Sequence, residues 1–310
     1  MQEITIVGAG LAGVNLAEKI REENNQIKIT LLDKRSYHFV KKYITQLNLN
    51  NWFFLEKWAK EKRIDFIKGK VERISIKRKK IYLKENNFLE FNNLVLCTGL
   101  FSKKNLVKGT HLEGFFYLSE IDFFKLKDYL KIYSEITIYI STILGLKMAL
   151  RLHFLGKEIK ILFPCLDFLG NYKQKLLMFL KEKGIIFYEN ANLEEIIGEG
   201  RIKAVRISPF KIFSSQMVII DSGFLPNDEF FEEEVKVKEG FFTNFEGVYF
   251  LGDVNRQNED NFFLFNYQET IEEAKVFVDF ILNKKDPSFF KKGEASMEDK
   301  EKMIEEMLRC

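Results

Sequence analysis

The chain contains two copies of one strand–turn–helix pattern, and this repeat constrains its fold more than any other feature. Residues 4–17 read ITIVGAGLAGVNLA, and residues 136–149 read ITIYISTILGLKMA. Aligned position by position, the two segments share Ile, Thr and Ile in the strand and Gly and Ala in the helix. A buried strand, a tight turn, a helix and a second strand predict a parallel pair with a right-handed crossover. The sequence therefore predicts two α/β halves.

Length and composition agree with two globular domains. A chain of 310 residues can bury two cores, and 46% hydrophobic with 30% charged residues is a globular rather than a disordered composition. The net charge of +3 is too weak a field to favour a nucleic-acid partner. No apolar run approaches the roughly 20 residues of a membrane span, and the start MQEITIVGAG is unlike a signal peptide. We therefore expect a cytoplasmic protein.

The cysteines and histidines do not form a recognisable metal or disulfide pattern. Cys97, Cys165 and Cys310 are far apart, and the sequence has no CxxC pair. The three histidines also lack ligand spacing. We expect neither a metal site nor a redox-active disulfide.

The first copy of the repeat has the pattern of a dinucleotide-binding turn. GAGLAG at 8–13 follows a strand and opens a helix, and Asp33 ends the next strand. Gly8 allows the sharp turn, Gly10 lets backbone approach a diphosphate, and Gly13 lets the helix pack on the strand. The helix N-terminus offers N–H groups to phosphate, and Asp33 can accept ribose hydroxyls. The alternative is a tight turn that binds no ligand.

Three further motifs occur in a family-specific order. They are LVLCTG at 94–99, MVIIDSGFLPND at 217–228 and TNFEGVYFLGDV at 243–254. Together with GAGLAG and LLDK, they resemble the FAD-dependent pyridine nucleotide-disulfide oxidoreductase superfamily across residues 3–283. This superfamily includes NADH oxidases, rubredoxin and ferredoxin reductases, and type II NADH dehydrogenases.

The resemblance implies an α/β fold with two Rossmann-like three-layer domains. The FAD-binding domain would be discontinuous, formed by residues 1–106 and 221–285. A degenerate NAD(P)-binding-like domain, residues 107–220, would be inserted into it. Residues 286–310 would form a C-terminal tail, with no C-terminal interface domain.

The resemblance also implies which residues hold FAD. They are Gly8, Gly10, Gly13, Asp33 and Lys34 around the adenosine and diphosphate, Val71 at the adenine, Thr98 and Gly99 at the middle of the cofactor, and Gly252 and Asp253 at the ribityl chain. In the stretch YHFVKKY, Lys41 or Lys42 would stabilise negative charge on the reduced flavin ring. The alternative for either lysine is a solvated surface position.

The second copy of the repeat has lost the features that bind a nucleotide. Ile140 and Thr142 replace the first two glycines, and only Gly145 remains. The next strand ends at Phe163 without an acidic residue, and Lys147 stands where the resembling family often has Glu. We expect the strand and helix to be retained as scaffold, with NAD(P)H binding weak or lost. The alternative is that NAD(P)H binds through Lys147 or the Thr142 hydroxyl.

Three functions follow from this pair of sites. The favoured one is an FAD-dependent oxidoreductase without a redox-active disulfide, which serves as an electron-transfer subunit for a redox partner protein or a small acceptor. The second is an NAD(P)H-dependent reductase of a small iron–sulfur protein, a quinone or oxygen. The third is a non-catalytic scaffold that binds FAD or a related nucleotide. The sequence does not determine the oligomeric state.

Overall fold

The structure is a computed structural model of the chain, and two compact units emerge from its contacts. It describes residues 3–40, 52–84, 87–255, 267–285 and 297–308. Unit 1 consists of the described residues within Met1–Val40, Asn50–Leu100 and Leu225–Glu294. Unit 2 consists of those within Phe101–Phe224 and Ala295–Cys310. The predicted lysines Lys41 and Lys42 lie outside the described residues.

Strands and helices alternate along both units. The strands are β1 Glu3–Val7, β2 Lys28–Asp33, β3 Tyr37–Phe39, β4 Trp52–Phe54, β5 Asp65–Lys68, β6 Val71–Ser75, β7 Lys80–Leu83, β8 Phe88–Glu90, β9 Asn93–Leu96, β10 Leu100–Ser102, β11 Phe115–Tyr117, β12 Glu135–Ile140, β13 Glu158–Phe163, β14 Ile186–Glu189, β15 Leu193–Glu199, β16 Arg201–Ile207, β17 Lys211–Ser214, β18 Met217–Asp221, β19 Phe224–Pro226 and β20 Val248–Phe250. The helices are α1 Leu11–Glu23, α2 Leu55–Glu61, α3 Phe123–Ile132, α4 Ile143–Phe154, α5 Lys173–Glu182, α6 Tyr267–Asn283 and α7 Met297–Leu308.

Each unit is built on a five-stranded parallel sheet. The strand order is β20-β9-β1-β2-β5 in unit 1 and β11-β18-β12-β13-β14 in unit 2. Every neighbouring pair in both sheets is parallel. Four strands correspond in position and chain order (β9, β1, β2 and β5 with β18, β12, β13 and β14), and β1 and β12 are the central strands. The predicted pair of Rossmann-like α/β domains is confirmed.

The central sheet of unit 1 is covered on both faces. Ile4 and Ile6 of β1 pack in a cluster with Leu16 of α1 and Phe277 of α6. Val7, the residue after Ile6 in β1, belongs to a second cluster on the opposite face, together with residues of the antiparallel sheet β6-β7-β8. Adjacent side chains of a strand point to opposite faces, so a continuous apolar run such as ITIV fits a sheet buried on both sides.

Unit 2 follows the same plan. Leu162 of β13 and Val218 of β18 form a cluster with Ile196 and Val205 of the antiparallel sheet β15-β16-β17. The C-terminal helix α7 also belongs to this unit. Its Ile304 is 1% exposed, and the Tyr172 hydroxyl donates to Glu305 at 3.1 Å.

Among the described residues, no helix is both long enough and apolar enough to cross a bilayer.

Candidate functional site

The glycine turn of unit 1 is shaped by two glycines that admit no side chain. Gly8 has φ +106°, and a Cβ added to it would lie 2.4 Å from the carbonyl oxygen of Cys97. A Cβ added to Gly13 would lie 1.9 Å from the carbonyl oxygen of Gly8. Both obstacles are backbone atoms of neighbouring strands and turns. These two glycines are therefore required for the close approach of β1, β9 and α1.

Gly10 differs from Gly8 and Gly13, because a side chain added to it would not clash with the described residues. It caps α1 with φ −75° and ψ −165°, a backbone conformation open to any residue. Among the described residues other than its chain neighbours, no atom would lie within 4 Å of a Cβ added there. The first turn of α1 also contains no acidic residue. The N-terminus of α1 thus presents its free N–H groups to open space, and the site fits the diphosphate of a dinucleotide.

Ala9, between the first two glycines, is held from both sides. Its N–H donates to Asp33 Oδ2 at 2.7 Å, and its carbonyl oxygen lies 2.9 Å from His38 Nδ1. Burial is the main cause that lowers the pKa of His38, so the imidazole is neutral near pH 7. Since a carbonyl oxygen only accepts, Nδ1 of His38 carries the proton and donates. The backbone that would contact a diphosphate is thus fixed before a ligand arrives.

Asp33 ends β2 as an ionised carboxylate. Burial works to raise its pKa, but the charge of Arg35 and the N–H groups of Arg35 and Ala9 outweigh it and lower the pKa. The Arg35 Nε lies 3.3 Å from Asp33 Oδ1. Lys34, which the sequence places beside Asp33 in the site, is exposed. Arg35 is therefore the cation on this carboxylate, and sequence reasoning missed it.

The predicted Thr98–Gly99 segment follows β9 and is tied to the later Pro-Asn motif. The Thr98 hydroxyl donates to the carbonyl oxygen of Asn227 at 2.5 Å. The N–H of Asn227 donates to the carbonyl oxygen of Gly99 at 2.9 Å, where φ is +67°. Two motifs that are far apart in sequence thus hold each other at the end of one strand.

Gly252 and Asp253 follow β20 and lie against the start of α1. Gly252 has φ +77°, and a Cβ added to it would lie 2.7 Å from the Cβ of Ala12. Its N–H donates at 2.8 Å to Glu273 Oε2, a fully buried carboxylate of α6. Glu273 Oε1 accepts from Asn255 Nδ2 at 3.3 Å. Glu273 thus positions the turn that carries Asp253, and it too was missed from sequence.

The remaining predicted residue of this unit is Val71. It lies at the start of β6, 7% exposed, in the apolar cluster that contains Val7 and Leu32. Gly8, Asp33, Thr98 and Gly252 lie at the carboxyl ends of β1, β2, β9 and β20 or within two residues after them, and Gly13 lies in the first turn of α1. In the sheet order, β2 and β9 flank β1 on opposite sides. This is the switch point at which open α/β sheets bind ligands.

The corresponding turn of unit 2 is filled by a carboxylate of its own chain. Asp221, the last residue of β18, has no exposed surface. Its Oδ2 accepts from the Thr142 N–H at 3.0 Å, the Thr142 hydroxyl at 2.6 Å and the Gly145 N–H at 3.2 Å. The Thr142 hydroxyl oxygen lies 3.2 Å from the Leu144 nitrogen and accepts its hydrogen bond. The N-terminus of α4 is therefore capped by side chains.

The sequence as a whole matches one family model. The model described as pyridine nucleotide-disulphide oxidoreductase matches residues 2–278, which is most of the chain. The chain belongs to this family. The family is one of oxidoreductases that bind FAD, and the resemblance inferred from the motifs is confirmed.

Individual relatives are more distant. The chain is 24% identical over 274 residues to human apoptosis-inducing factor 3, an alignment covering 81% of this chain and 45% of that protein. It is 24% identical over 280 residues to an NADH oxidase of Methanocaldococcus jannaschii, covering 80% of this chain and 62% of that protein. A ferredoxin reductase from Rhodopseudomonas palustris shares the fold with a TM-score of 0.73 at 17% identity, over 95% of this chain and 78% of that one. The chain thus spans less than two thirds of the two curated relatives.

The buried Asp221 carboxyl is expected to make the stability of the protein depend on pH. Burial raises the pKa of this carboxyl from an ordinary 3.8 to about 6, against the hydrogen bonds from Thr142 and Gly145. Between these values the native state binds more protons than the unfolded state, so stability falls as pH rises from about 4 to 6 and then levels. A shift of this size corresponds to about 3 kcal/mol.

The contribution of Asp221 is isolated by comparing the protein with its Asp221→Asn variant. Urea unfolding of both from pH 4 to 7.5 is expected to show a steeper loss of stability with pH in the unaltered protein. The matched control is Asp128→Asn, because Asp128 is an exposed carboxylate of α3 in the same unit. Equal pH slopes in the unaltered protein and Asp221→Asn would contradict the buried, raised carboxyl.

Proposed function

We propose that this chain is a flavoprotein oxidoreductase that binds FAD at the glycine turn of unit 1. The observation that carries the proposal is Gly10, a helix-capping glycine whose side-chain position is open space while both neighbouring glycines are closely packed. No contact among the described residues requires glycine at this position. A ligand that approaches the backbone at Gly10 would require glycine there. Membership of an FAD-binding family supports FAD as that ligand.

Different residues of the chain would bind different parts of the cofactor. The N–H groups at Gly10 and the start of α1 would hold the diphosphate, and Asp33 would accept the ribose hydroxyls. Val71 would meet the adenine through its backbone. Thr98, Gly99, Gly252 and Asp253 would line the middle of the cofactor and the ribityl chain, and Lys41 or Lys42 the flavin edge. When bound, the flavin supplies the redox chemistry, and the protein supplies position and electrostatics.

We further propose that NAD(P)H binding in unit 2 is weak or lost, and that electrons come from a partner protein. Ile140 and Thr142 place branched side chains where a dinucleotide turn needs bare backbone, and the buried Thr142 is already hydrogen-bonded. The strand after α4 ends at Phe163, which has no group to accept ribose hydroxyls. The chain would then be an electron-transfer subunit without a redox-active disulfide.

The second candidate is an NAD(P)H-dependent reductase of a small iron–sulfur protein, a quinone or oxygen. Similarity to an NADH oxidase and to a ferredoxin reductase favours it. Unit 2 also retains the complete parallel sheet on which such proteins bind the nicotinamide nucleotide. The two candidates differ in one property, the rate at which NADH or NADPH reduces the bound flavin.

Anaerobic spectroscopy of the purified protein separates the candidates. The cofactor is first released by denaturation and identified by mass, and we expect FAD. NADH and NADPH are then added in turn to the oxygen-free holoprotein, followed by dithionite. We expect little or slow bleaching of the flavin absorbance by either nucleotide and full bleaching by dithionite, which shows that the flavin is reducible.

Two results would overturn parts of this proposal. Rapid bleaching by NADH or NADPH would establish the second candidate. A colourless protein that does not take up added FAD would contradict the flavin site itself.

A further inference from the structure

The two sheets allow a residue-by-residue comparison of their turns. Ile6 of β1 pairs with Val95 of β9, and the equivalent Ile138 of β12 pairs with Ile219 of β18. Two residues beyond Val95 is Cys97, and two residues beyond Ile219 is Asp221. Asp221 is therefore the structural counterpart of Cys97, at the end of the strand that flanks each turn.

Cys97 and Asp221 differ in how they contact the helix that follows each turn. The Cys97 side chain is 5% exposed, and its Cβ lies 3.4 Å from the position of a Cβ added to Gly13. At the equivalent Gly145, an added Cβ would lie 2.3 Å from the carboxylate oxygen of Asp221. Thus the glycine that allows helix packing in unit 1 makes room for a carboxylate in unit 2.

That carboxylate uses the donors that a dinucleotide would need. A diphosphate at a βα turn is held by N–H groups of the first helical turn and by the positive end of the helix dipole. At α4 the N–H groups of Thr142 and Gly145 already donate to Asp221. A nucleotide would have to displace a buried, hydrogen-bonded anion or accept its repulsion at close range.

We propose that Asp221 is the residue that excludes dinucleotides from unit 2, acting as an internal anion in the place of the diphosphate. The inference rests on the proposed function, because it explains why this turn does not bind NAD(P)H. It also makes a separate claim, that loss of binding is due to occupancy by Asp221 and not only to loss of the glycines.

The test gives the second turn the residues of the first. In one variant, Asp221→Cys with Thr142→Gly, the carboxylate is replaced by the counterpart of Cys97 and the capping residue by the counterpart of Gly10. In a second, Asp221→Asn, the charge is removed with the shape retained. Asp128→Asn, an exposed carboxylate on α3, is the matched control. ADP is the probe, titrated calorimetrically into the FAD-loaded full chain, so that the first turn is occupied.

We expect no measurable ADP binding to the unaltered protein or to Asp128→Asn. Removing a like charge beside a diphosphate is expected to raise ADP affinity at least about tenfold in the double variant, with a smaller gain in Asp221→Asn. Amide NMR shifts of Gly145 should move on ADP addition only in these two variants. This readout places the ligand at α4 without relying on catalysis.

The outcomes separate this inference from the proposed function. If the folded variants bind ADP no better than the unaltered protein, Asp221 is not the excluding residue, while weak nucleotide binding by unit 2 still stands. If the unaltered protein binds ADP at Gly145 as strongly as the variants, both proposals fail. If the double variant does not fold, the Asp221→Asn variant alone tests the inference. No gain in ADP affinity in that variant would then overturn it.

Discussion

The Gly10→Val variant is expected to fold normally and to bind FAD more weakly. The backbone at Gly10 suits any residue, and an added Cβ meets no atom of the described residues beyond its chain neighbours within 4 Å, so the apoprotein should keep its stability. In the holoprotein the isopropyl group would occupy the space of the diphosphate. An overpacking cost of about 1–3 kcal/mol corresponds to a loss of affinity of about 5- to 150-fold. The measurement is FAD titration of the apoprotein, followed by flavin fluorescence quenching, with urea unfolding of the apoprotein beside it.

Two further variants serve as controls for Gly10→Val. Gly10→Ala adds a single methyl group and should show a smaller loss of affinity. Thr142→Ser changes the equivalent residue of the second turn but keeps its hydroxyl, and it should bind FAD like the unaltered protein. Unchanged FAD affinity in Gly10→Val would mean that no ligand approaches this turn, and the flavin site would have to be placed elsewhere.

Gly13→Ala is expected to have the opposite effect, on folding instead of binding. Glycine to alanine inside a helix ordinarily stabilises by about 0.5–1 kcal/mol. Here the new Cβ would lie 1.9 Å from the backbone carbonyl of Gly8, so α1 must move away from β1. We expect the free energy of unfolding of the apoprotein to fall by about 3 kcal/mol or more, measured by urea unfolding.

Gly145→Ala provides the matched comparison for Gly13→Ala. It is the equivalent glycine of α4, but the nearest atom to its added Cβ belongs to the side chain of Asp221, at 2.3 Å. A side chain can rotate away where a backbone carbonyl cannot, so the destabilisation should be smaller. A Gly13→Ala protein as stable as the unaltered chain would show that α1 and β1 are not packed as described.

The sequence was sufficient to predict the two α/β domains because their signals are local. The strand, the turn and the start of the first helix of each half lie within a 14-residue segment. The repeat also identified Ile140 and Thr142 as departures from the nucleotide-binding pattern.

Two of the residues that were missed, Asp221 and Glu273, act across long separations in the chain. Asp221 binds Thr142 from 79 residues away, and Glu273 binds Gly252 from 21 residues away. Glu273 did leave a signal, since it lies on the apolar face of α6 beside Ala274 and Phe277, where a charged residue needs a buried partner. Asp221 left another, a carboxylate at the end of an otherwise apolar strand. Neither signal predicts which residue the carboxylate binds, because that depends on the three-dimensional fold.

The choice between Lys34 and Arg35 shows a second limit. Both are cations directly after Asp33, and the sequence does not say which of them points back. The backbone places Lys34 in solvent and brings Arg35 to the carboxylate at 3.3 Å. Neighbouring residues at the end of a strand point to opposite faces, so a difference of one position changes the partner.

The most direct test of the whole account is a crystal structure of the protein grown with FAD and soaked with NADH. We expect FAD with its diphosphate against Gly10 and the N-terminus of α1, and the Asp221 carboxylate still bound to Thr142 and Gly145, with no nucleotide at α4. An empty turn at Gly10, or a nicotinamide nucleotide seated against Thr142 with Asp221 displaced, would contradict it.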